Sequence, residues 1–274
     1  MVTSHWNYFF ISLSVLISSS LINSKSMASN IKEETVSYST GGITLKGFVA
    51  YDDNIKGKRP VVLVVHEWWG LNDYAKMRAR KLAELGYLAM AVDMFGNGKI
   101  ASDPKEAREL TAQFYNDPRL AKTRMDAAVS KISEYPQADP GNMAAIGYCF
   151  GGSVVLNYAK MGAGLKGVVS FHGGLHGAPA DKNLLKARIL VCHGGSDKSV
   201  PQSDVDNFRQ QMDSIGADYT FRIYPNATHA FTNPDATRVG KEFDLPIEYN
   251  AKADRDSWND MKVFLDGVFK PKSD

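Results

Sequence analysis

One cysteine in the chain has the surroundings of a reactive nucleophile. Residues 144–153 read AAIGYCFGGS, so Cys149 has a glycine two residues before it and another two residues after it. Glycine–x–nucleophile–x–glycine between a strand and a helix is the pattern of a nucleophile elbow, a tight bend that raises its central side chain above the sheet. The N-terminus of the helix that follows favours negative charge. This pattern indicates a nucleophilic thiol rather than a structural core thiol.

A nucleophile of this kind needs a base and a group that orients the base. In this type of fold the acid comes next along the chain and the histidine last. The segment HGGSDKSVP supplies Asp197 and the segment YPNATHAF supplies His229, each just past a strand-like run. Asp204 and Asp206 fall on a helix and are expected to face water. The remaining histidines of the chain after residue 30 are expected to be polar wall residues, and they are His66, His172, His176 and His193.

A glutamate follows an early buried strand directly. The segment VVLVVHEWWGLND places Glu67 beside Trp68 and Trp69. A zinc-binding HExxH motif is excluded because residue 70 is glycine. From the residue type alone, a salt-bridged or solvent-facing glutamate is the first expectation.

Strand-like and helix-like segments alternate along the chain. An early segment, ETVSYST-GG-ITLKGFVAY, has the alternation and the Gly-Gly turn of a hairpin. The later pattern predicts an α/β fold with a mostly parallel central sheet, helices on both faces and the hairpin as an antiparallel addition. Sites in such sheets lie beyond the carboxyl ends of the strands, where Cys149, Asp197 and His229 are expected to meet. The predicted strands are RPVVLVVHE, YLAMAVDMF, MAAIGY, LKGVVSFHG, ARILVCHGGSD and YTFRIYP.

Six segments together resemble the dienelactone hydrolase family, which belongs to the α/β-hydrolase superfamily and uses a cysteine nucleophile. They are HEWWGLN, GYLAMAVDMF, IGYCFGG, HGGSDKSVP, YPNATHAF and YNAKADRDSWNDMKVFL. The resemblance covers residues 33–270, which we expect to form a single domain. It implies an α/β-hydrolase fold and hydrolysis of small lactone or ester bonds.

The resemblance also implies roles for individual residues. Cys149 would be the nucleophile, His229 the base and Asp197 the acid that orients the histidine. Glu67 resembles the family glutamate that contacts the resting thiol and takes part in its activation. The backbone N–H groups of Trp68 and Phe150 would form the oxyanion hole.

The chain departs from the family pattern where the substrate is held. Family members that act on dienelactone grip the substrate carboxylate with two arginines, and this chain has Asn97 and Asn233 at the corresponding places. A bidentate carboxylate clamp is therefore absent there. Arg238 or Lys241 in the following loop would be the replacement cations. The residues expected to contact substrate are Trp69, Phe95, Asn97, Phe231 and Asn233.

Two alternatives to a dienelactone hydrolase-like enzyme stay open. One is a carboxylesterase with a more apolar acyl pocket lined by Trp68, Trp69, Phe95 and Phe231. The other is a non-catalytic binding protein or a thiol-redox protein on the same fold. The redox alternative lacks a nearby resolving cysteine, because Cys192 ends a different strand. The sequence predicts no cofactor and no metal.

Composition limits the partners of the protein. The 274 residues carry a formal net charge of +2 with acids and bases interleaved, which gives no basic stripe for nucleic acid. A hydrophobic content of 44% is enough for a sizeable core. We expect a monomer that acts on a small-molecule ester or lactone.

Residues 1–28 have the pattern of a targeting segment. An apolar run from Tyr8 to Ile22 is followed by small residues, as in a secretory signal, although its N-terminal part has no Lys or Arg. The run is short for a transmembrane helix, so stable membrane insertion after cleavage is not expected. A cleaved signal would place the protein in the periplasm or outside the cell, and otherwise it would be cytoplasmic. An uncleaved anchor, or initiation at Met27, are the alternatives.

Overall fold

The computed structural model describes residues 1–3 and 28–270 of the chain. Nearly all of the predicted leader lies outside the described residues, so its cleavage and the export of the protein stay predictions. Within the described part of the chain, no helix is both long and apolar enough to cross a membrane.

Eight strands and seven helices make up the described fold. The strands are β1 (Ile31–Thr40), β2 (Ile43–Asp52), β3 (Arg59–Val65), β4 (Leu88–Val92), β5 (Ala138–Tyr148), β6 (Gly167–Phe171), β7 (Arg188–Gly194) and β8 (Tyr219–Tyr224). The helices are α1 (Asp73–Glu84), α2 (Pro104–Asn116), α3 (Pro118–Ser133), α4 (Phe150–Lys160), α5 (Gln202–Ser214), α6 (Ala236–Phe243) and α7 (Ala251–Phe269).

The strands form one sheet in the order β1-β2-β4-β3-β5-β6-β7-β8. Strands β3 to β8 run parallel, while β1 and β2 form the expected hairpin and β2 joins β4 in antiparallel fashion. The parallel strands direct their carboxyl ends to one edge, which is where ligands bind in open α/β sheets. The predicted fold class is confirmed.

The two faces of the sheet carry separate hydrophobic layers, because successive side chains of a strand point to opposite faces. Along β3, Val61, Leu63 and Val65 belong to the layer that also contains buried residues of α3, α4 and α5. Val62 and Val64 belong to the layer shared with α1 and α7. This double coverage explains why β3 is a continuous apolar run rather than an alternating one.

Local signals account for several element ends. Helix α1 begins after Asn72, whose side chain accepts a hydrogen bond from the Ala75 N–H, in agreement with the capping pattern. Helix α2 begins after Asp103, which accepts a hydrogen bond from the Glu106 N–H. Helix α6, in contrast, lies in a segment that the sequence pattern indicates as a loop. Ala236 and Val239 of this eight-residue helix line the site described below.

Candidate active site

Cys149 occupies a strained bend between β5 and α4. Its backbone angles are φ 52° and ψ −115°, a conformation that residues other than glycine rarely adopt. A Cβ added at Gly147 would lie 2.0 Å from the Gly151 carbonyl oxygen, and one added at Gly151 would lie 2.3 Å from the Val65 carbonyl oxygen. The glycine frame around the cysteine is therefore required by close backbone packing, which agrees with the elbow that the sequence predicts.

Asp197 and His229 meet at the same edge of the sheet. Asp197 follows β7 and His229 follows β8, and the His229 Nδ1–H donates a hydrogen bond to Asp197 Oδ2 at 2.9 Å. The second carboxylate oxygen accepts a hydrogen bond from the Ser199 N–H at 2.8 Å. The Asp197 side chain is fully covered and that of His229 is 13% exposed. The carboxylate is thus fixed from two sides and orients one nitrogen of the imidazole.

The surroundings of His229 favour its protonated form. Burial alone would lower the pKa of His229. The negative charge that Cys149 can carry and the hydrogen bond to Asp197 outweigh burial, and together they hold the pKa of His229 well above its ordinary value. A protonated His229 would place a positive charge beside any negative charge that Cys149 carries.

A cavity of about 250 Å³ joins these groups. Cys149, His229 and Glu67 all line it. Most of the remaining wall is apolar, and among the described residues no lysine or arginine lines the cavity. Helix α6 and the three residues 245–247 close one side. The apolar wall residues include Trp69, Val200, Ala236, Val239, Leu245, Pro246 and Ile247.

Glu67 is buried rather than solvent-facing, which corrects the expectation from its residue type. Its side chain accepts a hydrogen bond from Asn233 Nδ2 at 2.6 Å and forms no ion pair with any described residue. Burial raises the pKa of Glu67 to about 7, although the hydrogen bond from Asn233 and the charge on His229 act in the opposite direction. Glu67 can therefore hold or release a proton near neutral pH, within the cavity that Cys149 also lines.

The raised pKa of Glu67 predicts a pH-dependent stability difference for the Glu67→Gln variant. The folded protein binds this proton more tightly than the unfolded chain, so the contribution of Glu67 to stability is present at low pH and is lost as pH rises through about 7. Glutamine has no ionisable proton, so its contribution to stability does not change with pH. Between pH 5 and pH 8, the free energy of unfolding of wild type should therefore fall relative to Glu67→Gln by up to ~3 kcal/mol.

Urea unfolding of both proteins at several pH values measures this difference. Glu242→Gln is the control, because Glu242 lies on the surface in a pair with Arg238, and its difference from wild type should change little with pH. Parallel stability curves for wild type and Glu67→Gln would contradict the assignment of a raised pKa to this carboxyl.

One backbone amide at the bend and one in the loop after β3 are free among the described residues. Within the described residues, neither the Trp68 N–H nor the Phe150 N–H donates a hydrogen bond to another residue. Phe150 is the first residue of α4, where amide hydrogens have no partner inside the helix. The next amide, that of Gly151, donates instead to the His66 carbonyl oxygen at 3.1 Å and ties α4 to the end of β3. The two amides predicted to form an oxyanion hole are therefore available.

The expected substrate-binding residues divide into two groups. Trp69 and Asn233 line the cavity, although Asn233 uses its amide to hold Glu67. Phe95, Asn97 and Phe231 do not line it, which corrects the expectation for these three. Phe95 packs against Phe150 and the ring of His66, Phe231 is fully buried against His172 and Tyr224, and Asn97 lies in an exposed turn.

The replacement cations do not reach the cavity either. Arg238 and Lys241 lie on the exposed side of α6, and Arg238 forms an ion pair with Glu242 at 2.7 Å. No lysine or arginine that could hold a substrate carboxylate therefore lines the described wall of this cavity. Within residues 28–270, His, Cys, Asp and Glu side chains form no cluster of three or more that could hold a metal ion.

Several residues that line the cavity are not predicted from the sequence. Tyr115 of α2 lines the cavity, and its ring lies 5.8 Å from the ring of Phe150. Ala236 and Val239 of α6 also line the cavity and are not predicted to do so, although their spacing is that of one helix face. Among the histidines, His176 lines the cavity, and its Nδ1 lies 3.6 Å from Asp204 Oδ2. His66, His172 and His193 are buried.

The mostly parallel sheet, with Cys149 at a strand–bend–helix junction and Asp197 and His229 on later loops, has the α/β-hydrolase fold. An α/β hydrolase from a Medee basin deep-sea metagenome has the same fold, with a TM-score of 0.61 and 17% identity over 86% of this chain and 98% of that one. The chain belongs to the dienelactone hydrolase family, whose sequence model matches residues 45–269. This confirms the resemblance noted from the six segments.

Two further proteins are similar to the chain. A crystal structure of a dienelactone hydrolase-like promiscuous phosphotriesterase from metagenomic libraries is 33% identical, with a TM-score of 0.83, and the match covers 88% of this chain and 99% of that one. A Yersinia pestis protein named "Putative carboxymethylenebutenolidase" is 29% identical over 231 residues, which are 80% of this chain and 82% of that protein. Both matches support a hydrolase.

Proposed function

We propose that the protein hydrolyses small, uncharged esters or lactones through a Cys149–His229–Asp197 triad. One observation carries the proposal: a thiol on a strained bend and an imidazole that is bonded to a buried carboxylate line the same cavity. A structural thiol needs neither the bend nor the neighbours. Membership of the dienelactone hydrolase family supports the reaction class.

The proposed reaction begins with attack of the Cys149 thiolate on the carbonyl carbon of the substrate. The thiol proton has moved to His229, and the new S–C bond turns the carbonyl oxygen into an oxyanion. The free N–H groups of Trp68 and Phe150 stabilise this charge, each by about 2.7–4 kcal/mol in the transition state. The C–O bond of the ester then breaks, and the imidazolium at 229 gives its proton to the leaving oxygen.

The second half of the reaction releases the acid. Water attacks the thioester carbon while His229 takes one of its protons, and the S–C bond breaks to return the Cys149 thiolate. Asp197 keeps the imidazole in the orientation that both proton transfers need. Glu67 lies in the same cavity and, with a pKa of about 7, is our candidate for the group that exchanges a proton with the resting thiol.

The charge of the cavity indicates the substrate class. Among the described residues, its ionisable lining groups include Glu67, Cys149, His176 and His229, and none is a permanent cation. A substrate carboxylate placed against this apolar wall would lose its hydration without a lysine or arginine of the cavity lining to pair with. We therefore propose uncharged substrates, which is closer to the carboxylesterase alternative than to dienelactone.

A panel of matched esters and lactones, with and without a carboxylate on the acyl part, tests this proposal. We expect the uncharged member of each pair to have a kcat/KM higher by about 100-fold or more, since a desolvated unpaired charge costs several kcal/mol. Pretreatment with iodoacetamide should abolish turnover of p-nitrophenyl acetate and of the lactones. Equal turnover of charged and uncharged members would contradict the substrate class, and turnover that survives alkylation would contradict the thiol mechanism.

The same assay separates the remaining alternatives. Stoichiometric acylation without turnover would indicate a binding or thiol-redox protein. The redox alternative has no structural support in residues 28–270, because Cys149 and Cys192 are both free and Cys192 is fully buried. A phosphate triester belongs in the panel because one relative is described as a promiscuous phosphotriesterase and such triesters are uncharged.

A further inference from the structure

His172 lies next to the bend that carries Cys149. It follows β6, is fully buried and has a positive φ of 42°. Both nitrogens of its ring are engaged. Nδ1 lies 3.1 Å from the backbone nitrogen of Cys149, and Nε2 lies 2.7 Å from Thr232 Oγ1. The Thr232 hydroxyl in turn lies 2.6 Å from the Tyr74 hydroxyl. The side chain is thus a link between the candidate nucleophile and a buried polar chain.

The hydrogen bonds assign the tautomer of His172. The Cys149 backbone N–H can only donate, so Nδ1 is the unprotonated acceptor and the ring hydrogen is on Nε2, from which it is donated to Thr232 Oγ1. A proton on Nδ1 would clash with the hydrogen of the Cys149 N–H, because both groups would then be donors. Burial, followed by the charges on His229 and Arg78, lowers the pKa of His172 well below its ordinary value, which agrees with a neutral ring.

The contact to Cys149 is made where the backbone is strained. The Cys149 N–H is shared between the Phe171 carbonyl oxygen at 3.0 Å and His172 Nδ1 at 3.1 Å, two acceptors at the end of the neighbouring strand β6. A strained conformation persists only where its surroundings hold it in place. These two acceptors fix the orientation of the peptide that precedes Cys149, and that orientation sets the direction of the thiol.

The same ring also touches the candidate base. The centroids of the His172 and His229 rings are 5.3 Å apart with an interplanar angle of 64°, an edge-to-face contact. Of the other buried histidines, neither His66 nor His193 donates to or accepts from Cys149, and neither packs ring to ring with His229. His172 is the buried histidine of the described residues that meets both members of the pair.

We propose that His172 is a positioning residue for the Cys149–His229 pair, holding the cysteine bend through Nδ1 and supporting the imidazole of His229 through its ring. The expected effect of His172 on turnover rests on the proposed function, whereas its expected effect on the reactivity of the Cys149 thiol does not. Its substrate-independent signature is the pH dependence of thiol alkylation, because a displaced thiol would no longer be stabilised as a thiolate by the imidazolium.

Two variants at this position separate the hydrogen bond from simple packing. His172→Leu has similar bulk and no acceptor. His172→Asn keeps an acceptor near the place of Nδ1, and asparagine tolerates positive φ better than most residues. We expect His172→Leu to lower kcat about 100-fold with little change in KM, the effect of a displacement of about 1 Å. His172→Asn should recover a large part of this loss.

His193→Leu is the matched control, because His193 is also buried at the end of a strand and makes no hydrogen bond with Cys149. It should lose far less kcat than His172→Leu, although the charges of Asp197 and His229 both act on His193. Inactivation by iodoacetamide, followed across pH, should need a higher pH in His172→Leu than in wild type or in the control. This readout needs no turnover, so it still tests the positioning role if the wild-type protein hydrolyses none of the substrates.

The remaining outcomes are equally informative. A wild-type alkylation profile in His172→Leu overturns the proposal, as does an equal loss in His172→Leu and His172→Asn. Should His172→Leu fail to fold, Thr232→Val decides, since it leaves Nε2 without its partner at nearly unchanged volume. A lowered kcat and an upward shift of the alkylation profile in Thr232→Val support the proposal, and an unchanged alkylation profile overturns it.

Discussion

The Cys149→Ala variant should have no measurable hydrolase activity and an unchanged fold. Removal of the nucleophile of a triad lowers kcat by a factor on the order of 10⁶, since the remaining residues then cannot form the covalent intermediate. Alanine leaves the bend intact, because it accepts the same backbone strain and fits the same glycine frame. The measurement is kcat for p-nitrophenyl acetate, with a thermal unfolding curve to show that the variant is folded.

Cys192→Ala is the matched control for this experiment. Cys192 is fully buried on β7, and its Sγ lies 3.5 Å from the Tyr224 hydroxyl oxygen, which donates its hydrogen to Asp260 Oδ2 at 2.7 Å. Its replacement should cost about 1 kcal/mol of stability and leave kcat close to that of wild type. Full activity in Cys149→Ala, or an equal loss of activity in both variants, would refute the thiol mechanism.

The Asp197→Asn variant should lower kcat by a factor on the order of 10⁴ while KM changes little, as the corresponding change does in a serine triad. The new amide side chain has nearly the same shape as the carboxylate, and the Ser199 N–H would still find an acceptor. The variant would, however, lose the negative charge that faces His229 Nδ1 and would allow the wrong tautomer of the imidazole. It would also lack one of the causes that raise the pKa of His229.

Steady-state kinetics with an uncharged ester measures this loss. Asp206→Asn is the control, because Asp206 follows on the next helix and accepts a hydrogen bond from Gln202 on the surface. A loss that appears in KM rather than in kcat would mean that Asp197 acts in substrate binding and not in orienting the histidine. Comparable losses in both aspartate variants would remove the case for a specific role.

Several features of the site are predictable because they depend on local sequence. The glycines around Cys149 mark the bend, and the order of nucleophile, acid and histidine follows from the connections of the fold. Asp197 and His229 can be chosen over their competitors because they follow Cys149 in the order acid, then histidine, and each lies on a loop after a predicted strand. Short-range patterns of this kind need no knowledge of which segments later pack together.

The wall of the cavity is less predictable. Phe231 lies two residues after His229 but is fully buried, and the half-buried Phe95 packs against His66 and Phe150 outside the cavity. Residues of α6 and residues 245–247 form the apolar wall instead. The direction of a loop side chain depends on the elements packed around it. A loop also lacks the repeating sequence pattern that indicates side-chain direction in a helix or strand. The same reason explains why His172 looks like an ordinary wall residue in the sequence.

Local sequence was sufficient to specify the α/β class, the hairpin, the glycine-framed cysteine and the two loops that carry its partners. Each of these depends on periodicity, turn chemistry and chain order, which are written into neighbouring residues. Contacts between separate segments decide that Glu67 is buried against Asn233, that no lysine or arginine of the described residues lines the cavity and that His172 accepts a hydrogen bond from the Cys149 N–H. The Glu67–Asn233 contact joins residues 166 positions apart and the His172–Cys149 contact joins residues 23 positions apart at the ends of neighbouring strands, and the burial that creates them exists only after the sheet has formed.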